Sequence, residues 1–293
     1  MKRVFNYLID TNQSNTTIID YLTDLGYGSS LLKRLKHTDN SVQVNEQPVL
    51  LKHILKEGEE LKITIDEEGS DNIVPTNIPI DIIYEDEDIL VVNKGANLPV
   101  HPSMDHYTDT LGNAVAYYYE SKKESIVYRA LTRLDRDTSG LVLIAKNIYA
   151  AGLLSKLISN NEIKKTYYAE VTGHMEDISG TINAPIARKE GSIIERCVDF
   201  DNGQVAVTHF NTLKYFDEYD VSLLEITLDT GRTHQIRVHM KHINHPLIGD
   251  FLYNPDYKYI NRQALHCARM SFIHPIKKEP LNLEAPYPSD FIK

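Results

Sequence analysis

A polar segment between residues 66 and 79 divides the chain more clearly than any other feature of the sequence. The segment, DEEGSDNIVPTNIP, contains four acidic residues, a glycine and two prolines. This composition favours an extended linker over packed structure. We therefore predict a small module over residues 1–65, a linker over residues 66–79 and a larger domain over residues 80–293.

The net charge of -10 argues at first against a nucleic-acid partner, because phosphate contacts usually come from clustered Lys and Arg. The acidic residues are, however, concentrated. Of the 41 acidic and 31 basic residues, eleven acidic residues and one basic residue lie between Glu59 and Asp88, which leaves 30 of each elsewhere. Local basic surfaces are therefore possible, and the overall charge does not exclude RNA.

The sequence gives no sign of a membrane or secreted protein. It has no run of about 20 apolar residues, which a membrane helix needs, and its start lacks the apolar block of a secretion signal. The two cysteines, Cys197 and Cys267, have no CxxC spacing, so we expect neither a disulfide framework nor a zinc site. We expect a cytoplasmic protein and, by default, a monomer.

Apolar periodicity predicts the secondary structure. In the module, TIIDYLTDLGYGSSLLKRLKH has helical spacing, and SVQVNEQPV and EELKITI alternate as strands do. In the larger domain, strand-like runs dominate: DILVVNK, GLVLIAK, TYYAEVTG, VAVTHFNTLKYF and VSLLEITL. Helical patterns at TLGNAVAYYYES, IYAAGLLSKLIS and GRTHQIRVHMKHIN interrupt them. The pattern predicts an α+β fold with a mainly antiparallel mixed sheet and flanking helices.

The sharpest local feature is a charged loop that runs directly into an apolar strand, RLDRDTSGLVLIA, over residues 133–145. Loops held by rigid strands commonly carry catalytic groups. Asp135 has Arg133 and Arg136 on either side, and nearby positive charge favours an ionised carboxylate that could act as a nucleophile. The alternative is a solvated surface turn with ion pairs.

Six motifs resemble those of the RluA family of RNA pseudouridine synthases, in the expected order over residues 80–290. They are NKGANLPVHPS, RLDRDTSGLVLIAK, IKKTYYAEVTG, GTINAPIAR, GRTHQIRVHMKHINHPLIGDFLY and ALHCARMSFIHP. The resemblance implies a pseudouridine-synthase fold and an isomerase that needs no cofactor or metal, because uracil is detached from its ribose and rejoined through carbon. It also implies that Asp135, in the Arg-Leu-Asp triplet, is the catalytic residue.

The resemblance implies further roles at the site. Tyr167 would stack on a flipped uracil and could assist proton removal at ring carbon 5, and Arg232 would pair with Asp135. Taken singly, Tyr167 could equally be a core tyrosine and Arg232 a surface arginine. We also assign substrate or RNA contacts to Arg133, Arg136, Thr138 and Lys165.

Two patterns in the segment after Gly231 leave alternatives open. Ile236, Met240 and Ile243 can face the core at helical spacing, so that Arg237 and Lys241 share another face and bind phosphate or are solvated. The three histidines His239, His242 and His245 lack the HExxH glutamate, so packed or RNA-facing roles are favoured over metal binding.

The sequence departs from the family pattern at two places. Thr132 stands where the family usually has histidine, and Lys94-Gly95-Ala96-Asn97 replaces Lys-Pro-Ala-Gly. These changes bear on the loop conformation and on the choice of RNA more than on the reaction.

The N-terminal module resembles the small RNA-binding module of ribosomal protein S-four. Lys33, Arg34 and Lys36 would lie on a helix and contact phosphates, although a purely structural domain with a charged helix is the alternative. This domain plan points to ribosomal RNA as the substrate, with transfer RNA as a second possibility. Two rival interpretations are an RNA-binding protein without catalysis and, less favoured, a hydrolase using Asp135 and Asp137.

Overall fold

A small antiparallel sheet and two helices form the N-terminal part of the computed structural model, which describes residues 1–69 and 73–292. The strand order is β1-β4-β2-β3. In chain order the elements are β1 (Lys2–Leu8), α1 (Ile18–Asp24), α2 (Ser29–His37), β2 (Val42–Val44), β3 (Gln47–Pro48) and β4 (Glu60–Asp66). The sequence pattern predicted the helices and β4 but missed β1, which pairs along its whole length with β4.

A nine-stranded mixed sheet forms the core of the larger part. Its elements are β5 (Asp81–Glu85), β6 (Ile89–Lys94), α3 (Leu111–Ser121), β7 (Ser139–Ala145), α4 (Ile148–Ser159), β8 (Lys164–Thr172), β9 (Ser179–Asn183), β10 (Ile186–Arg188), β11 (Arg196–Val198), β12 (Val207–Phe216), β13 (Val221–Leu228), α5 (Gln235–His242), β14 (Leu265–Ile273) and β15 (Pro280–Glu284). The order is β5-β6-β7-β14-β8-β13-β12-β9, with β15 beside β14, and β10 and β11 form a separate hairpin. Among the described residues only β7 and β14 pair in parallel, which confirms the mainly antiparallel mixed sheet.

Strand β7 is buried along its whole length because helices cover both of its faces. Leu141 and Leu143 belong to a core that includes residues of α4 and α5. Val142 and Ile144 alternate with them and pack in a second core with residues of α3. The strand that follows the charged loop is therefore held rigidly from both sides.

Aromatic packing joins the two parts of the chain. Tyr149 of α4 lies in the core of the N-terminal part, where its ring stacks on Tyr27 at 4.0 Å and meets the edge of Phe5 at 5.1 Å. The contact fixes the N-terminal sheet against α4, the helix that directly follows β7.

Two buried carboxylates strengthen the same contact. Arg3 binds both oxygens of Asp88, at 2.9 and 3.0 Å. Glu67 accepts hydrogen bonds from Arg129 at 2.5 Å and from Arg34 at 3.3 Å. The predicted linker is not extended from its start, because Asp66 is the last residue of β4 and Glu67 is buried. Residues 67–69 and 73–79 form no helix or strand. Residues 70–72 lie outside the described part of the chain.

Helices α3 and α4 lie where the sequence predicted them, whereas α5 begins four residues later than predicted, at Gln235. The reason is His234, whose φ of +57° is left-handed and breaks the helical path. Within residues 1–69 and 73–292, no helix is both long and apolar enough to span a bilayer.

Candidate active site

The charged loop before β7 is fixed by hydrogen bonds at both ends. Thr132 Oγ1 accepts from the backbone N–H of Leu143 at 2.9 Å, so the residue that replaces the family histidine ties the loop to β7. The carbonyl of Arg136 accepts from Lys94 Nζ at 2.9 Å and from the backbone N–H of Leu98 at 3.1 Å. Lys94 and Leu98, on either side of the changed residues Gly95 and Asn97, thus support the loop directly. Burial lowers the pKa of Lys94 to about 7.

Close contact between β7 and β14 sets the position of the loop relative to the sheet. Gly140 has a φ of +111°, and a Cβ atom there would lie 2.3 Å from the carbonyl oxygen of Cys267. Only glycine allows this approach. Cys267 in turn is the register partner of Tyr167 on β8, so the three strands bring the loop and Tyr167 together.

Arg237 links Asp135 to a second carboxylate inside the protein. Its Nη1 lies 2.8 Å from Oδ2 of Asp135, while Nε and Nη2 bind Asp250 at 2.6 and 2.7 Å. Asp250 is fully buried, and Arg237 is 2% exposed. Burial alone would lower the pKa of Arg237, but the hydrogen bonds to Asp250 and the charges of both carboxylates outweigh it and raise that pKa.

Two expectations from the sequence are therefore wrong. Arg232 does not pair with Asp135, because its side chain is exposed and its Nε donates to the carbonyl of Val205 at 3.0 Å. Arg237 is not a phosphate contact on a solvated helix face, because two carboxylates compensate its buried charge. Arg136 likewise faces its neighbour Asp137, at 3.2 Å, and not Asp135.

His234 is a site residue that the sequence did not single out. Its Nδ1 lies 2.9 Å from the hydroxyl of Tyr253, which also accepts the backbone N–H of Arg196 at 2.8 Å. The phenol proton is then free to point at Nδ1, which leaves the ring proton of a neutral imidazole on Nε2. Nε2 lies 3.7 Å from Oδ2 of Asp135. Burial lowers the pKa of His234 although Asp135 acts to raise it, so the neutral form is favoured.

Tyr167 lies beneath the loop as a buried ring. It is 5% exposed, and burial raises its pKa well above the ordinary value for a tyrosine. The phenol therefore stays protonated at neutral pH.

A cleft of about 80 Å³ brings these groups together. Its lining combines polar and charged groups with aliphatic side chains, which suits a flat heterocycle with polar edges. The lining residues are Arg133, Leu134, Asp135, Thr138, Tyr167, Leu228, Arg232, His234, Gln235, Ile236, Arg237 and Leu265.

The remaining predicted residues lie at varied positions. Lys165, on β8, is not among the residues that line the cleft. Lys33 and Lys36 on α2 are exposed, whereas Arg34 pairs with Glu67 and so helps to join the two parts of the chain. Of the three spaced histidines, His239 is buried, with its ring nitrogens 2.8 Å from Thr208 Oγ1 and from the carbonyl of Ala184.

Comparison with known proteins decides the class. The family model for RNA pseudouridylate synthases matches residues 88–242, a range that contains the loop, Tyr167 and α5. The chain belongs to this family. The enzyme is thus an isomerase that converts uridine in RNA to pseudouridine, as its motifs predicted.

Relatives agree over most of the chain. A Bacillus subtilis protein named uncharacterized RNA pseudouridine synthase YjbO is 41% identical over 94% of this chain and 97% of its own length. Ribosomal large subunit pseudouridine synthase D of Buchnera aphidicola is 41% identical over 90% of this chain and 88% of its own. The structure of human RNA pseudouridylate synthase domain containing 1 superposes with a TM-score of 0.60 at 27% identity, covering 76% of this chain and 87% of the human one.

The pairing of Arg237 with Asp135 escaped prediction because the two residues are far apart in the chain. Arg237 and Asp250 both lie within one quoted motif, GRTHQIRVHMKHINHPLIGDFLY, but helical periodicity assigned Arg237 to the surface. One signal was available in the sequence. Asp250 is the only charged residue in the apolar stretch PLIGDFLY, and a buried carboxylate there requires a cation such as Arg237.

Proposed function

We propose that Asp135 is the catalytic carboxylate of this synthase. The observation that carries the proposal is its ion pair with the buried guanidinium of Arg237 at a cleft lined by Tyr167. A charge-assisted bond of this kind holds a carboxylate in one orientation.

The two carboxylate oxygens of Asp135 have different surroundings. The hydrogen bond from Arg237 ends on Oδ2, and Nε2 of His234 lies 3.7 Å from the same oxygen. Oδ1 is therefore the oxygen that we assign to the reacting uridine. It attacks either the pyrimidine ring or the anomeric carbon of the sugar. In both cases the bond from the sugar to ring nitrogen 1 breaks, the bond to ring carbon 5 forms, and the bond made by Oδ1 breaks again, which restores the carboxylate. Carbon 5 loses a proton and nitrogen 1 gains one.

Tyr167 supplies an apolar face for the uracil in this proposal. Because burial keeps its phenol protonated, stacking or hydrogen-bond donation suits this residue better than proton removal by a phenolate. The target uridine must leave its stack to reach a cleft this small, as other enzymes that act on bases require.

We further propose that the substrate is ribosomal RNA. The support is the name of several relatives, ribosomal large subunit pseudouridine synthase D, and the exposed Lys33 and Lys36 on α2 of an N-terminal module that we interpret as S-four-like. The module boundary at residue 65, the cytoplasmic location and the monomeric state stay predictions.

The test of the catalytic role compares two variants in the same loop. Asp135→Asn should fold and bind RNA but lose release of tritium from RNA labelled at uracil carbon 5 by on the order of 10³-fold or more. Asp137→Asn, two residues away, removes the pair with Arg136 and a charge that acts on Lys94, but leaves the bond between Arg237 and Asp135, and should retain most activity. Undiminished tritium release by Asp135→Asn would end the proposal. Pseudouridine maps of total RNA with and without the gene test the choice of ribosomal RNA.

A further inference from the structure

The arginines of this protein divide into two groups. Seven of the eleven form ion pairs with carboxylates: Arg3, Arg34, Arg129, Arg136, Arg237, Arg262 and Arg269. The other four, Arg133, Arg188, Arg196 and Arg232, have no carboxylate partner among the described residues, and all four line one groove.

The groove has a volume of about 470 Å³ and adjoins the active-site cleft. Arg133 comes from the loop before β7, Arg188 and Arg196 from the β10–β11 hairpin, and Arg232 from the segment before α5. The rest of the lining carries no carboxylate: Ile186, Ala187, Asn202, Gln204, Gly231 and Thr233. Because Arg133 and Arg232 also line the cleft, the two cavities are direct neighbours.

The hairpin holds two like charges directly opposite each other. Arg188 and Arg196 are register partners on β10 and β11. Like charges at such positions destabilise a strand pair unless an anion lies between or beside them. The backbone N–H of Arg196 donates to the hydroxyl of Tyr253 at 2.8 Å, which ties the hairpin to a residue that also contacts His234.

A second, larger groove, which includes Arg136 and Asp137 of the loop, differs because its arginines are paired with carboxylates. It measures about 740 Å³ and contains Arg136 and Arg262, but each of them pairs with a carboxylate, Asp137 or Asp290, in the same lining. Its arginines are already neutralised. Volume alone would favour this larger groove as a binding site for RNA. The unpaired arginine charge favours the smaller groove instead.

We propose that the groove formed by Arg133, Arg188, Arg196 and Arg232 binds backbone phosphates of the RNA beside the target uridine. The proposal rests on the proposed function, since the two arginines shared with the cleft, Arg133 and Arg232, are what place these phosphates next to the reacting base. Arginine forks suit phosphate oxygens, and each phosphate contact adds a salt-dependent, sequence-independent contribution to affinity.

The test measures binding of a large-subunit ribosomal RNA transcript between 50 and 200 mM salt. Arg188 and Arg196, which lie outside the cleft, are both changed to Gln in the Asp135→Asn background, so that binding is separated from turnover. We expect the Kd to rise about tenfold and the slope of log K against log salt to fall by roughly 0.7 to 0.9 for each lost contact. Arg269→Gln, which removes one positive charge from a paired surface site, should change neither quantity, whereas Arg188→Gln alone should reduce the slope by one contact.

A second double variant separates charge from structure. Arg188→Lys with Arg196→Lys keeps both charges and should keep most of the salt slope. An unchanged Kd and slope for RNA in the double Gln variant would overturn the proposal. If that variant nevertheless loses binding of inorganic phosphate, the groove is a small-anion site and not an RNA contact. If Asp135→Asn alone keeps its tritium release while the double Gln variant loses affinity, the groove stands and the catalytic role of Asp135 fails.

Discussion

Nη1 of Arg237 lies 2.8 Å from Oδ2 of Asp135, although 102 positions separate the two residues in the chain. The guanidinium is almost completely buried, and its other two nitrogens bind Asp250. The guanidinium reaches this position only when α5 is folded. Because Arg237 binds Oδ2 of Asp135, Oδ1 is left for the proposed substrate. The ion pair therefore connects the stability of the fold to the orientation of the proposed catalytic carboxylate.

Replacement of the two arginines near the site should have different consequences. Arg237→Gln leaves two carboxylates without their cation, one of them fully buried, so we expect a loss of about 3–5 kcal/mol of stability together with activity. Arg232→Gln should leave stability within about 0.5 kcal/mol, because its side chain is exposed, and should weaken RNA binding. Urea unfolding measures the stability of each variant, and tritium release measures its activity. Equal destabilisation by the two variants would contradict this account.

The tautomer of His234 should depend on Tyr253. In the wild type we expect the ring proton on Nε2, and nitrogen NMR of the imidazole at neutral pH can detect it. Tyr253→Phe removes the donor to Nδ1 and an acceptor for Arg196, so it should mix the two tautomers and cost about 1–2 kcal/mol of stability. If His234 orients Asp135, kcat falls while KM changes little. An unaltered imidazole spectrum in the variant would contradict the assignment.

Gly140 and Gly152 offer a matched pair of substitutions. Gly140→Ala places a methyl group against the backbone of Cys267 at a left-handed φ, so we expect a loss of about 3 kcal/mol or more and displacement of the loop. Gly152 in α4 has open space around it, and Gly152→Ala should be neutral or stabilise by about 0.5–1 kcal/mol. Urea denaturation of both variants measures the contrast, and a small effect at Gly140 would show that β7 and β14 can move apart.

Glu170 should make stability depend on pH. Burial raises its pKa from 4.5 to about 8, and its Oε2 has no hydrogen-bond partner among the described residues. Because the folded state binds the proton more tightly, this stabilisation is complete below about pH 4.5 and disappears as the pH rises through 8. Glu170→Gln keeps a neutral group, so its stability relative to the wild type should increase between pH 5 and pH 8.5 in urea unfolding. A constant difference across that range would refute the shift.

Local pattern predicted most of the elements that carry the site. β6, β7 and β8 are apolar runs, and α3 and α4 have clear helical spacing, so neighbouring residues suffice to define them. β1 and β14 were missed because their strand character depends on partners far away in the chain. The loop of Asp135 and the ring of Tyr167 were both predicted for the site, and the cleft contains both.

The amino-acid sequence by itself determined the family, the reaction and the position of the proposed catalytic aspartate, because those depend on motifs that are contiguous in the chain. Only the tertiary structure decided which arginine faces that aspartate. Arg232 and Arg237 are five residues apart in one motif, and the left-handed turn at His234 sends the first to the surface and starts the helix that buries the second. The energy of a buried charge depends on the carboxylates around it in space, and Asp135 and Asp250 reach Arg237 only when the chain has folded.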